Sequence, residues 1–210
     1  MGTATAAATR AADIKAQVNA AFKKDVLQLG SEVDIIRHWP TGMLPIDMAL
    51  DGGLPVGRFI EVYGDYSTLK SLLALKAVAS VQAHGGTTAY VDAEHAFDKV
   101  WAREQGVDTD SMLLQRPDTG EEAIGVMEVL IRSGTDLIIW DSIAATQPAQ
   151  YAEKKPGEDN QPGGQARMMS AGLRRLNTAN KSSTILAINQ TRVNVGMTFG
   201  SKTTTPGGMA

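Results

Sequence analysis

The sequence predicts an α/β fold, with a mostly parallel central sheet flanked by helices. Three observations lead there. Short apolar runs of strand character alternate with segments of about 10–15 residues at helical spacing, as in βαβ units. "DLIIWDS" (136–142) holds four consecutive apolar residues, "LIIW", as a strand buried on both faces would. "RFIEVYG" (58–64) reads as a strand that runs through a short loop into a helix beginning near Lys70. At 210 residues, 43% hydrophobic and 20% charged, the chain can bury one sizeable core.

In chain order, Ile14, Val18 and Phe22 recur at helical spacing in an N-terminal helix that Gly30 is expected to end. "DGGLPVG" (51–57) is a loop rich in Gly and Pro, followed by the strand 58–64. "SLLALKAVASVQAHGG" (71–86) is a helix closed by Gly85 and Gly86. "TTAYVDAEH" (87–95) is a strand, "DKVWAREQG" (98–106) a helix, "MLLQRP" (112–117) a short strand and "GEEAIGVMEVLIRSG" (120–134) a helix. The polar stretch "TQPAQYAEKKPGEDNQPGGQ" (146–165) reads as a long loop. It leads to the helix "ARMMSAGLRRLNTANK" (166–181) and the strand "TILAINQ" (184–190). No internal repeat is evident.

Composition excludes several classes. There is no cysteine, hence no disulfide framework and no thiolate metal site, which suits a cytoplasmic location. "MGTATAAATRAADIKAQ" has no continuous apolar core, so it is not a secretory signal. "MGTATA" fits a myristoylation pattern only loosely and reads as coincidence. No apolar run approaches the roughly 18 residues of a membrane span. The net charge of −3, from 20 basic and 23 acidic residues, hides a polarity. Asn160 to Ala210 contains no Asp or Glu, against Arg167, Arg174, Arg175, Lys181, Arg192 and Lys202. Such a segment suits a polyanion, and equally a solvated helix face with a tail.

"GDYSTLKS" (64–71) approximates a phosphate-binding P-loop. Gly64, Lys70 and Ser71 stand at the motif's spacing, but Leu69 replaces its second glycine. In that motif, backbone N–H groups at the helix start bind phosphate oxygens, Lys reaches the β- and γ-phosphates, and the hydroxyl holds Mg²⁺. A Cβ at position 69 costs about 1–2 kcal/mol in the left-handed region, which is tolerable if the loop takes a less strained shape. On the motif alone, a cradle and an accident of composition are equally good readings. Asp141, after "LIIW", puts a carboxylate at a strand's C-terminal end, where it would contact Mg²⁺ through water or merely cap the next turn. Glu94 also lies just past a strand end, as a base for an attacking water or a solvated loop residue. Three such sites at three strand ends of one sheet are much harder to dismiss than any one alone.

From about Pro40 onward the sequence resembles the bacterial RecA recombinases. The resemblance rests on "PTGMLPIDMALDGGLPVGRFIEVYG", "AYVDAEHAFDKVWA", "PDTGEEA", "GGQARMMSAGLRRL", "INQTRVNVGMTFG" and "TTTPGG". It implies a RecA-like P-loop ATPase core over 34–210 and an N-terminal helix, 1–33, that packs on a neighbouring subunit. It also implies a DNA-dependent ATPase that forms helical filaments on single-stranded DNA. Pairing with homologous duplex DNA would follow, in recombination, repair and the SOS response. By the same resemblance Gly64, Asp65, Tyr66, Ser67, Thr68, Leu69, Lys70, Ser71 and Leu72 would cradle the nucleotide, with Ser71 and Asp141 toward Mg²⁺. Glu94 would activate water, Lys70 would serve the phosphates and Gln190 would sense the γ-phosphate. Asp98 and Trp101 would hold the adenine, with Trp101 in place of the family's tyrosine. Arg167, Ser170, Arg174, Arg192, Gly207 and Gly208 would contact DNA.

Departures accompany these matches. Of the family's usual "GPESSGKT", only Gly64, Ser67 and Lys70 are identical, with Ser71 replacing Thr. Some phage members also carry a bulky residue before the Lys, so Leu69 suggests a phage origin. The first DNA loop, "AEKKPGEDNQPGG", departs from the consensus. The family continues past the second DNA loop with further core strands and a C-terminal domain, so a fragment or a separately supplied remainder is expected. Two other functions compete: a nucleotide-binding filament protein that Leu69 prevents from hydrolysing, and a motor of the hexameric helicase class.

Overall fold

The computed structural model describes residues 2–152, 163–193 and 203–204; of 2–5, 152, 192–193 and 203–204 the backbone alone is described. The chain divides into two units, Met1–Ile36 and Arg37–Ala210.

The first unit is built on helix α1 (Gly2–Phe22), whose many alanines favour helix. It ends well before Gly30, and a polar side chain ends it. Asn19 Oδ1 accepts from the backbone N–H groups of Val26 (3.0 Å) and Leu27 (2.9 Å), while Nδ2 donates to Leu27 O (3.0 Å). Such local bonds offer the backbone an alternative to the helix, and Lys23 turns left-handed at φ 51°. Gly30 instead opens a short 3₁₀ turn, Gly30–Glu32. Glu32 accepts a salt bridge from Lys15 at 2.5 Å, which holds its carboxyl below the usual range. Ile14 and Phe22 stay 49% and 69% exposed.

The second unit begins with β1 (His38–Trp39), α2 (Leu44–Ala49) and β2 (Leu54–Pro55). β1 and β2 form a small antiparallel pair. Neither α2 nor β2 is evident from the sequence, where 51–57 reads as loop. α2 is fixed by Asp47, which accepts from Thr41 N and Thr41 Oγ1, both at 2.7 Å. Then follow β3 (Phe59–Gly64), α3 (Lys70–Ala83), β4 (Thr88–Asp92), α4 (Lys99–Glu104), β5 (Leu113–Gln115), α5 (Gly120–Arg132) and β6 (Leu137–Asp141). A short α6 (Ala149–Ala152) lies inside the stretch expected to be loop, and α7 (Gly164–Ala179) starts within its end. The chain continues through β7 (Thr184–Gln190) to an antiparallel pair, β8 (Arg192–Val193) with β9 (Thr203–Thr204).

β3 to β7 form one five-stranded sheet in the order β3-β7-β6-β4-β5, parallel throughout. Alternation along the buried strands divides the core between its faces. Tyr90, Leu137, Ile139, Leu186 and Ile188 pack with Ala74, Val78 and Val81 of α3 and Ala102 of α4. Val91, Ile138, Trp140, Ile185 and Ala187 pack with Met127 of α5 and Met169 and Leu176 of α7. Helices therefore cover both faces, which is why these strands show no polar side. The late strand β7 is inserted between β3 and β6. Its register sets Gln190 beside Gly64 and Ile188 beside Asp141, while Asp92 lies beside Asp141 on the other side.

Gly53 belongs to a close backbone approach at the β1–β2 pair. Its φ is +119°, and a Cβ there would lie 2.1 Å from Trp39 O. Gly53→Ala is expected to cost about 2 kcal/mol or more, because backbone must shift and the dihedral suits only glycine. Urea unfolding should show a lower midpoint at unchanged slope; an unaltered midpoint would contradict this approach.

Candidate functional site

β3 ends at Gly64 and α3 begins at Lys70, so residues 65–69 are the whole connection. Leu69 has φ 64° and ψ 23° and is 63% exposed. The loop takes no such relaxed shape: Leu69 has the left-handed conformation a glycine adopts freely, and Ser67 is also at positive φ, 58°. The strand must turn sharply into the helix to aim the first-turn N–H groups at the loop mouth. An exposed leucine can bear that turn at a local cost of about 1–2 kcal/mol.

Leu69 at the N-cap supplies no side-chain cap, and among the described residues no other side chain caps the first turn of α3, so its N–H donors and dipole are available to an anion. Lys70 Nζ folds over the loop and donates to Gly64 O (3.0 Å), Asp65 O (2.7 Å) and Thr68 Oγ1 (3.2 Å). All three acceptors are neutral, and among the described residues no carboxylate pairs with the ammonium. The Asp65 carboxylate accepts instead from Thr191 Oγ1, just after β7. Tyr66 is exposed and Leu72 is half-buried in the first turn of α3.

Asp141 is buried, with 8% of its surface exposed, at the end of β6. Its Oδ2 accepts from Ser71 Oγ (3.0 Å) and Tyr90 OH (2.6 Å). Burial raises its carboxyl above the usual range, opposed by these two hydrogen bonds. Burial, then the charge of Asp141, raises Tyr90 well above an ordinary phenol. Asp141 does not cap the following turn; Ser142 does, its Oγ accepting from Ala145 N at 3.2 Å. The same hydroxyl donates to Glu94 Oε1 at 2.6 Å, and Gln190 Nε2 donates to that oxygen at 3.1 Å. Glu94 is thus an exposed carboxylate gripped from the ends of β6 and β7.

Asp92, Ser142 and Tyr90 escape the sequence reading. Buried Asp92 accepts from Ala96 N (3.1 Å), Phe97 N (3.0 Å) and Arg116 Nε (3.3 Å), which shapes the loop that presents Glu94. The acid closing "YVD" is its one signal. Asp98 caps α4 by accepting from Val100 N (2.8 Å) and Trp101 N (3.1 Å), and Trp101 is partly exposed beside it.

On α7, Arg167 and Arg174 are exposed and Ser170 is half-buried, a seven-residue spacing that puts the two arginines on one face. Among the described residues neither arginine forms an ion pair. Arg175 does, with Glu128 of α5 at 2.6 Å, and Arg132 reaches the same carboxylate at 2.8 Å. It is therefore subtracted from the basic surface that composition suggests. Gln165 Nε2 ties the start of α7 to the segment after β6, donating to Thr146 O (2.9 Å) and Ile143 O (3.2 Å). Arg192 lies in β8, its side chain outside the described residues, as are Gly207 and Gly208.

Among the described residues no group of three or more His, Asp or Glu could hold a metal ion alone. Ser71 and Asp141 suit a hard cation that takes most of its ligands from phosphate and water. Among the same residues no helix is long and apolar enough to cross a membrane.

A parallel sheet with a strand–loop–helix anion cradle and carboxylates at two further strand ends defines a P-loop α/β domain. The family model for the RecA N-terminal domain matches residues 10–210, starting well before Pro40, and the chain belongs to that family. Protein RecA of Mycobacterium ulcerans is 47% identical over 201 residues, covering 93% of this chain and 58% of that protein. Protein RecA of Mycobacteroides abscessus is 48% identical over the same length and with the same coverage. The chain thus spans somewhat over half the length of these relatives.

Leu69→Gly is expected to remove the left-handed strain and raise the unfolding free energy by about 1 kcal/mol. Urea titration checks it; a destabilised variant would show that the leucine side chain contributes contacts worth more than the strain.

Proposed function

We propose that this chain is the ATP-binding part of a DNA recombinase that forms filaments on single-stranded DNA and pairs it with homologous duplex DNA. One observation carries the reading: Lys70, Asp141, Glu94 and Gln190 come from the ends of four different strands or the loops after them and all lie at the C-terminal end of the parallel sheet. Loop 64–72 would bind the phosphates through Lys70 and the N–H groups of α3. Ser71, which donates its proton to Asp141, would turn its oxygen toward Mg²⁺. Bound ATP and Mg²⁺ would supply the phosphoryl group and neutralise the charge that develops on it. Glu94 would orient a water and take its proton. Asp98 and Trp101 would flank the adenine.

Gln190 bonds Glu94 and directly precedes Thr191 and β8. A change at the carboxylate would therefore be felt by the segment after β7, where the second DNA contact is placed. Arg167, Ser170 and Arg174, with Arg192, Gly207 and Gly208, would follow the DNA backbone. Residues 1–33 would serve self-association and 34–210 the ATPase core, in the cytoplasm, during recombination, repair and the SOS response. Leu69 suits a phage-encoded member. A non-hydrolysing filament protein and a hexameric helicase are disfavoured: Glu94, proposed as the base, and Gln190 are both present and bonded, which supports hydrolysis, and the match is to RecA.

Glu94→Gln is expected to retain nucleotide binding but lower DNA-stimulated ATP turnover by about 10²-fold or more, since an amide cannot accept the water's proton. Near-normal hydrolysis would remove Glu94 from the mechanism.

Arg167→Ala or Arg174→Ala should weaken binding to all single-stranded sequences alike. Each should make the slope of log affinity against log salt shallower by about 0.7, the contribution of one phosphate contact. Oligonucleotide anisotropy at several salt concentrations measures this. Unchanged affinity and slope would make this helix face merely solvated.

A further inference from the structure

Tyr90 has a hydroxyl where the core requires only a ring. The residue is 4% exposed, packs with Leu186 and Ile188 on one face of the sheet, and meets the Phe97 ring at 5.3 Å between centroids. A phenylalanine would fill the same space without a polar group to desolvate. The hydroxyl's proton goes to Asp141 Oδ2 at 2.6 Å, the oxygen that also accepts from Ser71 at 3.0 Å. β4 and β6 are adjacent and in parallel register, Tyr90 beside Ile139 and Asp92 beside Asp141. Tyr90 therefore lies two residues short of the strand end and reaches forward along the sheet to the carboxylate.

Two donors on one oxygen fix the plane of a carboxylate that would otherwise rotate about its terminal bond. Among the described residues no donor reaches Oδ1, which leaves that oxygen for a metal-bound water. Ser71 has a single proton; while Asp141 accepts it, the serine oxygen keeps its lone pairs for a cation. We propose that Tyr90 is a positioning residue, holding Asp141 so that Ser71 and the carboxylate together receive a phosphate-bound Mg²⁺. This rests on the P-loop reading above and adds to it a residue on a neighbouring strand that touches neither nucleotide nor metal.

The test is the Mg²⁺ dependence of binding of a fluorescent ATP analogue to the purified protein, which does not involve hydrolysis. Tyr90→Phe keeps the ring, and Tyr90→Met is a second hydroxyl-free variant with a smaller, flexible apolar side chain. For both, the Mg²⁺ concentration at half-saturation should rise on the order of fivefold, the scale of one lost hydrogen bond. Affinity for the analogue in EDTA should not change. In an Asp141→Asn background, Tyr90→Phe should add no further shift. If wild-type binding depends on Mg²⁺ and both variants keep the wild-type half-saturation, the positioning role is wrong. An equal shift in the Asp141→Asn background would also overturn it, since the effect would then come from packing. Wild-type binding that ignores Mg²⁺ would remove the P-loop reading itself, and the role of Tyr90 with it.

Discussion

The insertion of β7 between β3 and β6 is the constraint on which the site depends. Without it, β3 with its loop and the strand bearing Asp141 would be neighbours, and no glutamine would reach Glu94. With it, the register sets Gln190 beside Gly64 and, two residues back, Ile188 beside Asp141. The insertion is enforced by burial. β7 is apolar on both faces, and only a central position flanked by strands and covered by α3 and α7 satisfies it. The same covering orders the polar edge, because each strand delivers its last residue to one end of a parallel sheet.

Burial also shapes the chemistry at that edge. Asp141 is removed from water and receives its compensating hydrogen bonds from a helix start and a neighbouring strand, which fixes its orientation. Glu94 lies further out, exposed, with one oxygen held by Ser142 and Gln190. Two carboxylates of the same sheet thus have different environments, one suited to organising a cation and the other to exchanging a proton with water. Lys70 rests on neutral acceptors, so an incoming anion would displace hydrogen bonds without breaking an ion pair.

A path of contacts runs from this edge toward α7. Ser142 bonds Glu94, its carbonyl accepts from Thr146 Oγ1, and Gln165 of α7 donates to Thr146 O. The helix that carries Arg167 and Arg174 is therefore anchored to the segment that grips Glu94. Arg175 shows the opposite arrangement, its charge spent on Glu128 to hold α7 against α5. Equal charges along one helix thus have different surroundings, according to the face on which each falls.

By itself the sequence determined the α/β class, the order of the main strands and helices, and the residue types at the strand ends. These rest on local periodicity and spacing, which tertiary contacts do not alter. It also sufficed to place Lys70, Asp141 and Glu94 near strand termini, since a parallel sheet brings its C-terminal ends together. The end of α1 escaped it, because Asn19 bonds to residues seven and eight positions on, beyond the reach of a helical pattern. So did α2, which depends on the Thr41–Asp47 bonds. The shape of residue 69 was decided by tertiary structure: connecting β3 to α3 in so few residues demands a left-handed turn, whatever side chain stands there. So were the partners of Asp141 and Glu94. Ser71, Tyr90, Ser142 and Gln190 are distant in the chain, and only strand order and register bring their hydroxyls and amide within hydrogen-bonding distance of those carboxylates.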